Sequence, residues 1–552
     1  MSPSRSRQAR RADARRKQKR GAPARPAGRD FSGVREAIAK LGWRIWGALA
    51  VVIVAAIVAI VLLLSSSSTP SEHLQLTGSG YPNVDLSNTR HVAGPIDSAT
   101  VSKLGVAWST PLKAKSQYGS YSSSPIISNG VIFSQDLASN VQAVSLKTGR
   151  VLWSKSYEQP DQGPNGLVVA GGRVYGATPS AAFALDEKTG EQLWSVTLVR
   201  NEHEGIDMAP GYHDGIVYVA TVPGNVAKYY GGEGQGVMWA LDASTGKRLW
   251  HFDTAPEDLW SANNKSINSG GGLWYTPSFD EQGSMYIGTA NPAPFPGTNE
   301  FPWGSSRPGP DLYTDSIVKL DAKTGKLEWY YQLTPHDIYD WDLQDPPILV
   351  NAGGHHEVIA AGKGGVVIAL DSATGKLLWK RPVGIHNGHD NDNLYALRGE
   401  YSKLSLPETV YPGQLGGVIA PMSSNGSMVF VPVVNHSATM ESQGEIQENG
   451  PTTGEVVALD AATGAVRWDH KLPGPAFGAT TSVNDLVFAT TFEGSVYGYE
   501  ASSGALVWQK QLPAGTNTGV AVSGGTLIAP AGVGLAAGQT PTLVAYRLGA
   551  GG

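Results

Sequence analysis

Between Thr334 and Asp342 the chain reads Thr-Pro-His-Asp-Ile-Tyr-Asp-Trp-Asp, which crowds His336, Asp337, Asp340 and Asp342 into one short run. Carboxylates at that density have three uses: accepting a proton as general base, offering hard oxygens to a cation such as calcium, or capping the N–H groups of a turn. His336, flanked by turn residues, reads as an orienting hydrogen-bond partner rather than a ligand. Other runs of unusual composition lie nearby: Ser-Gly-Gly-Gly-Leu-Trp274, Gly-Thr-Ala-Asn291-Pro-Ala-Pro, Arg307-Pro-Gly-Pro-Asp311, Ala-Gly-Lys363-Gly-Gly and Val-Asn435-His. An amide oxygen at Asn291 suits a hard cation, and an indole face at Trp274 suits a flat aromatic ligand.

The elements that must hold these residues announce themselves by repetition. Seven times a Thr-Gly or Ser-Gly pair is followed, four residues after the Gly, by a tryptophan: Trp153, Trp194, Trp250, Trp329, Trp379, Trp468 and Trp508. Most copies follow an alternating apolar stretch ending in Leu-Asp, so each reads strand, turn, strand. Trp108 has the same strand context without the turn. Intervals between the eight tryptophans are 45, 41, 56, 79, 50, 89 and 40 residues, and the shorter ones match a four-strand propeller blade. The expected fold is therefore all-β, an eight-bladed β-propeller over about residues 80–548, with each repeat tryptophan largely buried between neighbouring blades. The two long intervals hold insertions, and most of the candidate chemistry lies in or beside them.

The repeat, the Asn88-Thr89-Arg90 segment, and the Gly-Thr-Ala-Asn-Pro-Ala-Pro and Thr-Pro-His-Asp runs together resemble the pyrroloquinoline quinone (PQQ) dependent alcohol dehydrogenases, eight-bladed quinoproteins of the bacterial exterior. The resemblance implies PQQ lying in a central funnel and held by calcium, with an aspartate taking the hydroxyl proton as hydride passes to the quinone. Carried over motif by motif, it implies Trp274 as the floor under the quinone, Lys363 beside its oxygens and Asn435 as a carboxylate-binding amide. It also implies Asp340 as base, with Asn291, Asp340 and Glu233 around the metal. The chain departs from the pattern in places. The family's vicinal cysteine pair falls near Gln159 and Pro160, an arginine falls on Asn165, an early cofactor-contacting glutamate on Ser122, and Glu233 stands about two positions from the expected place of the calcium-binding glutamate. Two readings follow: a quinoprotein dehydrogenase acting on an alcohol or sugar with a separate electron acceptor, or a non-catalytic ring that holds an envelope protein partner.

Ahead of the repeat, residues 45–64 form a 20-residue stretch with no charge and no proline, enough for a helix to span roughly 30 Å of hydrocarbon. Residues 1–44 carry 14 Lys or Arg against three acids. That asymmetry predicts a cytoplasmic basic tail, an uncleaved signal-anchor helix at 45–64, a linker over 65–79, and a propeller outside the cell membrane. Removing the tail's +11 from the whole-chain −5 leaves −16 outside, which argues against a nucleic-acid partner there. With no cysteine in the chain, disulfides, thiolate metal sites and covalently attached haem are excluded.

Overall fold

The computed structural model describes residues 80–112, 119–224, 232–260 and 265–550, all within one compact unit, Leu76–Gly552. The basic tail, the expected span at 45–64 and the whole linker at 65–79 lie outside the described residues. Among the described residues no helix is long and apolar enough to cross a membrane.

Alternating apolar strands separated by tight turns pair into eight antiparallel blade sheets among the described residues, seven of four strands and one, over 481–511, that gains a fifth strand from His91–Val92 in parallel pairing. We number these blades 1 to 8 by their strand spans: 126–155, 168–197, 211–253, 278–332, 348–382, 423–472, 481–511 and 521–548. The last blade has only three strands of its own, and Leu104–Pro111 supplies the outermost one by pairing with Thr542–Leu548. That pairing closes the ring with main-chain hydrogen bonds between the start of the propeller and its last blade, and the blades keep only the short edges usual in such a ring.

The repeat tryptophans sit on the outer strands and dock on the next blade. A Cβ built on Gly149, Gly190, Gly246, Gly325, Gly375, Gly464 or Gly504 would lie 2.4–2.9 Å from the indole of the preceding repeat, and all seven glycines have φ between 64° and 73°. Glycine is required twice over, for the turn and for the ring above it. Six of these indoles also donate Nε1 to a carbonyl of the neighbouring turn, for example Trp153 to Glu187 at 3.0 Å and Trp379 to Ala461 at 2.9 Å. At Trp250 the pattern is broken because the Ala322 carbonyl accepts the Tyr218 hydroxyl instead. Expected burial is met by Trp468 and Trp508, whereas Trp153, Trp194, Trp250, Trp329 and Trp379 are only partly buried. Outer strands form the rim of the ring, so an indole docked there keeps one edge toward solvent.

A second closure is not visible in the repeat. Residues 80–92 cross the ring and bond to blades 2 to 7. The carbonyls of Gly80, Leu86, Ser87, Thr89 and Arg90 accept N–H bonds from Val169, Phe279, Leu349, Ser424 and Ser482, of blades 2, 4, 5, 6 and 7. Tyr81 reaches the Tyr212 carbonyl of blade 3 at 2.7 Å. The buried Arg90 guanidinium donates to Thr480 O at 2.7 Å, to Thr481 Oγ1 at 2.9 Å and to Ser124 Oγ, just ahead of blade 1, at 3.2 Å.

Replacing Trp379 by Ala should lower stability by about 3 kcal/mol, the lower part of the range for emptying a large aromatic site, because the ring is partly exposed. Gly464→Ala should also destabilise, since its Cβ would meet the same ring at 2.5 Å. Chemical denaturation of both variants checks this, and a wild-type midpoint for Gly464→Ala would remove the docking role.

Candidate functional site

In a four-stranded blade the connections from second to third strand, and from fourth strand to the next blade, emerge at one end of the ring. Trp274 and Asp340 lie on the latter kind, Asn291, Lys363 and Glu233 on the former, and Asn435 ends a second strand. The Thr-Gly turns belong to the opposite end. One end of the ring thus carries structural turns and the other all the candidate chemistry.

The glycine run 270–272 explains how Trp274 comes beside Asn291. Ser269–Gly270 pairs antiparallel with Pro292–Ala293, Gly271 N donates to Asn291 O at 3.0 Å and Ala290 N to Gly272 O at 2.8 Å. A Cβ on Gly270 would meet Pro292 Cα at 2.7 Å. Trp274 packs there on Val222 and Ala290, largely out of water.

Asp337 holds the acidic loop in shape. Its carboxylate accepts Tyr339 N at 2.9 Å and Trp341 N at 2.5 Å, which supports Asp340 at φ 64°, a left-handed backbone that a non-glycine residue adopts only when its surroundings enforce it. Further ties come from the insertion after blade 5: Asn393 Oδ1 accepts Ile338 N at 2.8 Å, Asp392 accepts the Tyr339 hydroxyl at 2.7 Å, and Pro412 O accepts the Trp341 indole at 2.9 Å.

Lys363 joins the pieces. Its Nζ lies 2.8 Å from Asp340 Oδ2 and 2.7 Å from Asp342 Oδ2, while Asp342 Oδ1 accepts Asn291 N at 2.7 Å. Gly362 has no room for a side chain, because a Cβ there would sit 1.8 Å from Asp342 O. Trp274, Asn291, Asp342, Lys363 and Asp340 are thus one connected cluster. Burial lifts the Asp340 carboxyl well above the usual carboxylate range; Lys363 opposes this and Asp342 adds to it. Three buried oxygens of the cluster have no hydrogen-bond partner: Asp340 Oδ1, Asn291 Oδ1 and Asp342 Oδ2, the last facing Lys363 as an ion pair. Asp315, whose N bonds Ala290 O at 3.1 Å, is fully buried with neither carboxylate oxygen bonded, and burial likewise raises its acid.

Behind the loop, the fully buried Arg307 is ion-paired with Asp311 and donates to Asp337 O at 2.6 Å and Pro294 O at 3.1 Å. His336 sets its ring nitrogens against Gly309 O and Trp303 O, both at 3.0 Å. Burial, reinforced by Arg307, holds its pKa down at about 4 against the opposing pull of these two carbonyls, and the ring serves as an orienting partner, as its turn context indicates.

Two expected residues have other placements. Glu233 is exposed, at φ 73°; its backbone bonds Lys265 and Asn201, and the side chain is not part of the buried cluster. The glycine loop that could have slid it inward turns it toward solvent instead. Asn435 is buried, but its amide donates to Glu455 at 2.8 Å and accepts Ile385 N at 3.0 Å, so both polar atoms tie the fold together instead of facing a ligand. Asp342 and Asp315 are the residues sequence reasoning gave no role. Asp342 was visible as the third acid of its run; Asp315 had no signal, since only packing brings it to Ala290.

A central cavity of about 510 Å³ lies above the 80–92 segment, lined by Arg90, Ser122, Asn165, Tyr275, Phe477 and Asn517 among others. Ser122 and Asn165, the positions that depart from the resembled pattern, both face it, while Gln159 and Pro160 are exposed. A second cavity of about 900 Å³ reaches Asp342 from between the 333–342 loop and the insertion, bordered by Trp341, Lys380 and Asn391.

Removing Lys363 should leave two buried acids without their counter-charge. Lys363→Met is expected to cost about 3–5 kcal/mol at neutral pH. An acid whose folded pKa is raised stabilises the fold below its unfolded pKa and loses that contribution as pH rises through the folded value. The variant's melting temperature should therefore fall more steeply than that of wild type between pH 5 and pH 8; parallel pH profiles would refute the pairing.

Comparison with known proteins agrees with this fold. Residues 205–387 match the family described as glucose/ethanol/alcohol dehydrogenase, beta-propeller domain, and residues 415–551 the family of the outer membrane protein assembly factor BamB. The chain is 28% identical over 511 residues to a quinohemoprotein alcohol dehydrogenase of Comamonas testosteroni, covering 80% of this chain and 70% of that protein. It is 27% identical over 504 residues to the dehydrogenase subunit of a quinone alcohol dehydrogenase of Gluconobacter oxydans, covering 74% of this chain but 64% of that protein, so it spans about two thirds of the length of such relatives. In structure it resembles the quinohemoprotein alcohol dehydrogenase ADHIIG of Pseudomonas putida with a TM-score of 0.73 at 24% identity, over 86% of this chain and 80% of that one. The chain thus carries PQQ-repeat β-propeller domains and is homologous to the quinohaemoprotein and quinoprotein alcohol dehydrogenases.

Proposed function

We propose that this chain is a membrane-anchored, extracytoplasmic quinoprotein dehydrogenase that oxidises an alcohol or sugar hydroxyl, with PQQ and calcium as its cofactors. The observation that carries the reading is the pair of buried oxygens, Asp340 Oδ1 and Asn291 Oδ1, that have neither a hydrogen-bond partner nor the Lys363 ammonium. Both are hard donors of the kind calcium takes, so the residues present fit a cation held by Asn291 and Asp340, without help from Glu233. PQQ, when bound, supplies a two-electron acceptor for hydride. Trp274 offers it an aromatic face, and Lys363 a positive charge toward which negative charge on a reducing quinone is favourable.

Within the protein, Asp340 is the general base. Lys363 fixes one carboxylate oxygen and leaves Oδ1 to accept the hydroxyl proton. Burial raises its basicity well above that of a solvated carboxylate, the direction a general base needs. Asp337, Arg307 and His336 are positioning residues that hold the loop. The alternative, a ring that binds an envelope protein partner, draws support from the assembly-factor match over residues 415–551 and from the exposed Glu233.

Titrating the purified chain with PQQ, with and without calcium, separates the readings. Binding should require calcium, since without a cation the quinone's carboxylates and the site's acids repel. Asp340→Asn should keep PQQ and lose about 10²- to 10⁴-fold in turnover with an active alcohol, the usual share of a general base. Wild-type chain that takes up no quinone at micromolar concentration with calcium present would leave the partner-binding ring.

Anchoring rests on the apolar 45–64 stretch behind its basic leader. Protease added to intact spheroplasts should digest residues 65 onward and spare the tail; a protected propeller would overturn the topology.

A further inference from the structure

Away from the Asp340 cluster, the connections joining blades 1 to 2 and 2 to 3 bring two acids together without any basic partner. Asp161 and Asp207 are 2% and 3% exposed, and their carboxyl groups lie within hydrogen-bonding reach of each other. Among the described residues, neither is paired with a Lys, Arg or His. Asn165, 2% exposed, turns the N–H side of its amide to Asp161; Nδ2 also donates to Asp136 O at 2.8 Å, and Oδ1 is buried with no partner. Asp161 Oδ2, Asp207 Oδ2 and Gln162 Oε1 are buried and unbonded as well. Four unsatisfied oxygens therefore belong to one turn and the acid facing it.

Packing presets this arrangement. Gly163, at φ 74°, presses on Ser122 so closely that a Cβ would lie 1.9 Å from its Oγ, and Gly166 would meet Ala209 at 3.0 Å. The Asp161–Gly166 turn and the Asp207–Ala209 segment are thus fixed against each other, and Pro164, Asn165, Gly166 and Ala209 line the central cavity.

We infer that Asp161, Asp207 and Asn165 form a binding site for a calcium-like divalent cation beside the central cavity, separate from the Asn291–Asp340 cluster. Two buried carboxylates at hydrogen-bonding distance repel strongly unless something positive lies between them. A shared proton would satisfy the pair but leave Asn165 Oδ1 and Gln162 Oε1 with nothing, whereas a hard cation accepts carboxylate and amide oxygens alike. The cation would also clasp two inter-blade connections across a cavity wall.

The inference does not depend on the dehydrogenase reading, and its test reads metal rather than turnover. Whole protein stripped with chelator is dialysed against radioactive calcium, and bound metal per chain is counted together with the melting temperature. The Asp161→Asn, Asp207→Asn double variant should bind one equivalent less than wild type and lose the calcium-dependent part of its melting shift, while Asn291→Ala should retain that equivalent. Asn165→Asp adds a third carboxylate and should raise calcium affinity at least about tenfold, as ligand charge does in oxygen-rich sites; this variant decides the matter if the double variant fails to fold. Equal calcium in the double variant and wild type would mean a shared proton and overturn the site. So would an Asn165→Asp variant of unchanged affinity.

Discussion

The contact between a tryptophan on one blade and a side-chain-free Cα on the next is the constraint on which the rest of this structure depends. Each such pair fixes the distance and rotation between two blades, and the Nε1 bond to the turn carbonyl fixes the ring's direction, as at Trp379 and Ala461. Neither half tolerates substitution, because the glycine supplies both a left-handed turn and the space for the indole. Repeated around the ring and completed by the Leu104–Pro111 strand, this docking orders every connection at the opposite end. Side chains on connections far apart in sequence, such as Asn291, Asp340 and Lys363, converge only because the blades beneath them are registered.

The two ends of the ring answer different demands. At the turn end, the 80–92 segment spends its carbonyls one blade at a time, so a crossing chain is accommodated without stranded backbone groups. At the other end polar atoms are left unsatisfied. Asp340, Asn291, Asp315, Asp161 and Asp207 all bury oxygens with no partner, a concentration that a fold selected for stability alone would avoid. Such unmet demand is what a site for a cation or a polar ligand looks like when only its protein component is considered. Lys363 partly relieves it by lying between two acids, which keeps the cluster tolerable while Asp340 Oδ1 stays open.

Departures from the resembled pattern fall together. Ser122 and Asn165 both line the central cavity, and the Asp161–Asp207 pair lies behind its wall. Where the resembled family brings an arginine, this chain presents neutral and acidic groups. Arg90 is the basic side chain lining this cavity, whereas on the Asp340 side Lys363 provides the positive charge.

The sequence by itself determined the blade count, through the spacing of Thr-Gly and Trp, because that docking is local to one repeat and its neighbour and therefore leaves a period in the chain. It also marked Trp274, Asn291, Asp340 and Lys363, whose short motifs keep the glycine or proline geometry that positions them: Gly270 for the approach to Pro292, Gly362 for the approach to Asp342. Only the tertiary structure decided which acids act together. Glu233 and Asn435 have suitable chemistry, yet the direction of one glycine loop exposes the first and a neighbouring Glu455 occupies the second. Asp315, Asp342, Asp207 and Arg90 owe their surroundings to contacts between different blades or across the ring. No residue pattern within a repeat encodes such contacts, because burial and electrostatic coupling depend on distances in space that are set only once the ring has closed.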